Sequence, residues 1–146
     1  MSLRLLSIPA LLTLLAACQG PSGTALPSAN APARGASLAE RWEHRVVTIS
    51  VAERIADQCY AEGISLAPSP WSGAVTRATE ELVAEGADRA ALDAVYANHD
   101  FNTSSASAGA YLAARGALPD VPESLCAVGE AEIAQGSEVG RVLQKL

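Results

Sequence analysis

The chain has 146 residues, a length that suits one small domain behind a short leader. It carries 16 acidic against 10 basic side chains, a formal net charge of −6, which argues against nucleic acid as a partner and against a polybasic contact with anionic lipid. Although 49% of the residues are apolar, only 4% are aromatic and many of the rest are Ala. A core of that kind buries little area per residue, at about 25 cal/mol per Å2, and gains from a covalent staple.

Met1 to Arg4 form a short head with one basic side chain, and Leu5 to Ala17 follow without a charge. That run is shorter than the ~20 residues a membrane-spanning helix needs, and it has the flanks of a secretory signal's apolar core. It ends in Leu15-Ala16-Ala17-Cys18, which resembles the lipobox of bacterial lipoprotein signals. The resemblance implies a leader at residues 1–17, cleavage before Cys18 and lipid chains on its sulfur, a durable membrane anchor. An ordinary secretory signal with an A-x-A-like site is the alternative. Gln19 stands where an Asp would resemble an inner-membrane retention signal. The expected address is therefore the periplasmic side of the outer membrane of a Gram-negative bacterium, with the membrane as partner through Cys18.

Residues 18–36 continue as the lipidated cysteine and the stretch QGPSGTALPSANAPARGA, with three Pro, three Gly and no apolar periodicity. It reads as a flexible tether spanning ~23 Å root-mean-square. The expected domain is 37–146. Ser37-Leu38-Ala39-Glu40 matches a capping box, and Trp42, Val46, Ile49, Ala52, Ala56 and Cys59 follow as one apolar stripe at helical spacing. Val46 to Val51, VVTISV, is β-branched and would read as a strand alone. Ser50 to Glu53 form a second capping box, so residues 38–60 make either one helix with a weak middle or two meeting near Ser50. The continuous helix is preferred.

Gly63 to Ser72 is a proline-containing loop, and Ser69 or Ser72 is the expected start of a second helix that ends at Gly86. Asp88 caps a short third helix with Leu92, Val95 and Tyr96. Residues 99–103, HDFNT, read as a turn, after which Ser104 or Ser105 opens a fourth helix closed by Gly116. A fifth, beyond Pro119 and Pro122, holds Cys126 and Ile133 and stops at Gly136; Ser137-Glu138 begin a last turn or two. Nothing beyond VVTISV alternates. The class is all-α, a small bundle of about five short helices stapled by one disulfide.

The staple follows from cysteine usage. Setting Cys18 aside leaves Cys59 and Cys126, an even pair in an oxidising compartment. Two free buried thiols, or half of a metal site, are the other possibilities. The stretches IADQC, GAYLAARG and SLCAVGEAEIAQGSEVGRVL resemble an uncharacterised family of small exported proteins from Rhodobacter-type alphaproteobacteria, over residues 46 to 146. That resemblance implies an exported helical domain and no activity.

Chemistry-bearing residues are sparse. His44 falls on the polar side of the first helix, and His99-Asp100 lies in the expected turn. There is no H-E-x-x-H, paired C-x-x-C, haem motif, glycine-rich phosphate loop or G-x-S-x-G elbow, so no catalytic residue, metal site or cofactor is expected. Glu80-Glu81 and the pair Glu130 and Glu132 diverge on their helices and read as solvated faces. The expected function is a non-catalytic binding or adaptor module with an envelope protein partner. The alternatives are a small apolar ligand-binding protein, with Trp42, Trp71 and Tyr111 lining a pocket, and an enzyme without a recognisable motif.

Overall fold

A computed structural model describes Pro32 and residues 35–146. The leader, Cys18 and nearly all of the tether lie outside the described residues.

Ser37 opens α1 (Leu38–Gln58) with the complete capping box: its hydroxyl accepts from the Glu40 amide while the Glu40 carboxylate accepts from its own. The helix runs unbroken through VVTISV. Burial explains why: α1 packs against every other helix and against the first strand, and Val46, Thr48, Ile49 and Val51 are all buried. Each β-branched residue costs a few tenths of a kcal/mol of helix propensity, whereas burying its side chain contributes ~1.5 kcal/mol or more. Every residue of the expected stripe, from Trp42 to Cys59, is buried. Cys59 closes α1 and is joined to Cys126, with Cα atoms 5.5 Å apart.

Around α1 stand α2 (Ala74–Ala84), α3 (Arg89–Ala97), α4 (Phe101–Ala114), α5 (Pro122–Gln135) and the short α6 (Glu138–Val142). Among the described residues there are thus six helices, the sixth being the expected last turn. Three helix starts differ from expectation, the simplest being α5, which begins at Pro122 itself because a proline suits the first helical position. Neither Ser69 nor Ser72 caps α2; Gly73 occupies that position at φ 77°, a left-handed conformation that glycine adopts without a Cβ clash. The turn expected at 99–103 is cut short because the Asp100 carboxylate accepts from the Asn102 amide, so α4 begins at Phe101 instead of at Ser104 or Ser105.

The chain also forms a two-stranded sheet that no sequence pattern announces. Strand β1 (Ile64–Leu66) pairs antiparallel with β2 (Leu143–Lys145), Ile64 opposite Lys145 and Leu66 opposite Leu143. The ladder is extended by the Ala67 amide on the Val142 carbonyl at 2.8 Å and the Leu146 amide on Gly63 at 2.9 Å. Residues that follow α1 are thereby fixed to residues that follow α6. Gly140 brings α6 directly against the end of α5: a Cβ there would stand 2.0 Å from the Glu132 carbonyl oxygen.

Candidate functional site

Two polar arrangements stand out, one sealed and one open. The sealed one centres on Glu132, which is 1% exposed. It does not lie on a solvated face. Its phase on α5, three and four residues after Gly129 and Val128, turns it inward with them. The Arg115 guanidinium pairs with one carboxylate oxygen and the Ser137 hydroxyl donates to the other. Ser137 Oγ in turn accepts from the Gly140 amide at 2.9 Å, capping α6. Arg115 also lies 4.0 Å above the Tyr111 ring. Burial raises the Tyr111 phenol well above its ordinary pKa, and its hydrogen bond to the Glu132 carboxylate and that group's charge raise it further. Both Glu132 oxygens and the Ser137 hydroxyl have partners inside the protein. It holds α4, α5 and α6 together, with Arg115 as its one exposed member.

The open arrangement is a cleft of about 510 Å3 between α1, α2 and α6. Arg41, His44, Arg45 and Thr48 recur at positions i, i+3, i+4 and i+7 of α1, one face of the helix. Beside them α2 contributes Arg77, Glu81 and Ala84, with Glu85 just past its last residue, while α6 contributes Glu138 and Arg141. Trp71, Ile49 and Val142 supply apolar wall, and Pro32 touches the rim. The charges are paired, some across the opening and some along one helix. Glu85 accepts from Arg41 at 3.3 Å and from Arg45 at 2.8 Å; Glu81 accepts from Arg77 at 2.8 Å, with Arg45 at 3.6 Å. His44, expected on a solvated face, stands 2.7 Å from Glu138 and is 18% exposed in its side chain.

A smaller cavity of about 220 Å3 shares Trp71, Ile49 and Arg77 with the cleft and is bordered by Glu53. Burial raises the pKa of Glu53, helped by the nearby charge of Asp57, while Arg77 and the Ala74 amide pull it back.

The other residues singled out from the sequence do not converge on the cleft. Trp42 is fully buried with its Nε1 donating to Thr79 at 2.8 Å, and Tyr111 belongs to the Glu132 cluster; of the three aromatics only Trp71 borders the cleft. His99 packs edge-on against Trp42, 5.0 Å between ring centres, and meets Ser104 Oγ at 2.6 Å. Glu80 pairs with Arg89, and Glu130 with Lys145, as outward-facing residues do. Among the described residues no three His, Cys, Asp or Glu side chains are placed to hold a metal ion, and no helix is long and apolar enough to cross a membrane.

What the fold and these two arrangements define is a small disulfide-stapled helical domain with a charge-lined cleft. Its residues 38–144 match a family of unknown function, DUF5333, and the chain belongs to that family. The match begins at the first residue of α1, earlier than the resemblance suggested, and includes both bridged cysteines. No curated protein and no solved structure matches the chain.

Proposed function

We propose that the chain is an exported, lipid-anchored binding module of a Gram-negative, alphaproteobacterial envelope. Acyl chains on Cys18 hold it to the outer membrane, residues 19–36 act as tether, and the helical domain faces the periplasm and engages another envelope component without catalysis. One observation carries the binding reading: the cleft concentrates ion pairs that a partner's charges can replace, whereas the Glu132 cluster is closed on itself. Partly exposed ion pairs contribute ~1 kcal/mol or less each to the free domain, so exchanging them for a partner's charges costs little.

The test is site-directed photocrosslinking in intact cells. A photoreactive residue in place of Ala84, which borders the cleft and is exposed, gives a discrete adduct; one in place of the exposed Ala106 on α4 gives none. Equal labelling from both positions, or none from either, refutes the reading. Intact mass of the membrane-extracted protein checks the anchor, since acylation at Cys18 and loss of residues 1–17 change it together.

A further inference from the structure

We infer that the cleft between α1, α2 and α6 is a site for an oxyanion carried on an apolar body, a carboxylate or phosphate seated on Arg41 and Arg45 with the body against Trp71. This deepens the binding role proposed above and rests on it for the choice of the cleft.

Charge is the first ground. Four of the chain's ten basic residues, Arg41, Arg45, Arg77 and Arg141, border this one cleft, against three carboxylates. A local excess of positive charge inside a chain of net charge −6 focuses the field on anions entering the opening.

Glu85 is the second. It follows the last residue of α2, where the free carbonyls of the helix already concentrate negative charge, so a carboxylate is disfavoured there by the helix itself. Arg41 and Arg45 hold it nonetheless, and its side chain is 47% exposed. Glu81 keeps Arg77 as a separate partner. Glu85 is thus an internal stand-in for a ligand's oxyanion, and it can swing into water without orphaning a buried group. Its departure frees Arg41 and leaves Arg45 with only the longer 3.6 Å contact to Glu81, two guanidinium groups one helical turn apart, each a planar fork that can bind carboxylate or phosphate bidentately.

Shape is the third. A volume of about 510 Å3 lies within the range of small-molecule sites, and Trp71, Ile49 and Val142 give the opening an apolar wall beside the arginines. A bare ion would leave that wall unused.

The experiment titrates the purified full-length chain with phenyl phosphate and with phenylacetate, following heat and tryptophan emission. Inorganic phosphate and benzyl alcohol serve as probes lacking the ring or the charge. At least one aromatic anion binds about tenfold or more tighter than either control, the order expected for a charge-assisted hydrogen bond. The better of the two tells phosphate from carboxylate. Arg45→Gln weakens that probe about tenfold. Glu85→Gln tightens it, because the competing carboxylate is gone, and Trp71→Phe removes the emission change. Should Arg45→Gln fail to fold, Glu85→Gln still decides, since loss of a merely structural ion pair does not raise affinity. Controls binding as tightly as the aromatic anions, no binding at millimolar probe, or unchanged affinity in Glu85→Gln each overturn the inference. A crosslinked protein at Ala84 with no probe binding sinks the ligand class and leaves the binding role. The converse result leaves the anion site and removes the protein partner.

Discussion

His44 Nε2 lies 2.7 Å from Glu138 Oε2 although 94 residues separate them in the chain. The pair joins the first half of α1 to the first residue of α6 in the wall of the cleft. His44→Ala therefore lowers unfolding stability by about 1 kcal/mol, and His44→Gln, which keeps a donor, by less. Urea denaturation measures both. Amide exchange in residues 140–142 accelerates in the alanine variant, and an unchanged rate there contradicts the linkage.

Glu130 and Glu132 differ by two positions and by environment. The Glu130 side chain is 60% exposed and that of Glu132 is 2% exposed. Glu130→Gln stays within about 0.5 kcal/mol of the parent, as surface pairs do. Glu132→Gln loses ~2 kcal/mol or more, because Arg115, Ser137 and Tyr111 all lose a charged acceptor. Thermal melts of the two variants, run side by side, check the contrast.

Tyr111 makes stability depend on alkaline pH. Its folded-state pKa lies above the ordinary value of 10.0, so the denatured chain releases this proton first as pH climbs. The stabilisation is fully present below pH 10 and is lost progressively above it. Urea midpoints measured between pH 9 and pH 11 fall more steeply for the parent than for Tyr111→Phe. Parallel curves would refute the assignment.

Two glycines in helices respond oppositely to alanine. In Gly140→Ala the new Cβ meets backbone at 2.0 Å, so α6 shifts off α5 and the domain loses about 1–3 kcal/mol. At Gly109, on α4, the nearest atom is Arg54 Nη1 at 3.9 Å. Gly109→Ala gains up to about 1 kcal/mol from helix propensity. Chemical denaturation gives both signs directly.

The bridge closes a sequence separation of 67 residues. In the chain-entropy account a loop of that length stabilises by about 4 kcal/mol, so Cys59→Ser with Cys126→Ser lowers the urea midpoint sharply. A loss under about 1 kcal/mol would show that the helices alone hold α1 to α5.

Much of this fold is written locally. Ser37 with Glu40, Asp88, Pro122 and Gly136 mark helix ends through side-chain or backbone chemistry that acts within a few residues, and each marks a real end. The start of α2 carries no such mark, because Gly73 makes no side-chain cap. Both β1 and β2 are three residues long, too short for alternation to register, and their pairing links Ser65 to Gln144 across 79 positions. The candidate site was half legible. Arg41, His44 and Arg45 belong to α1's polar face, yet only α2 and α6 standing on either side turn that face into a cleft. Glu132 misled because Glu130 beside it is solvated; its phase with Val128 and Gly129 was the signal.

The pairing of residues 64–66 with 143–145 has a temporal consequence. A ribosome delivers the first partner long before the second. The segment after α1 waits, edge unpaired, until the final turn emerges. Closure of this ladder is then a late event, possible only after every helix between the two strands has been delivered.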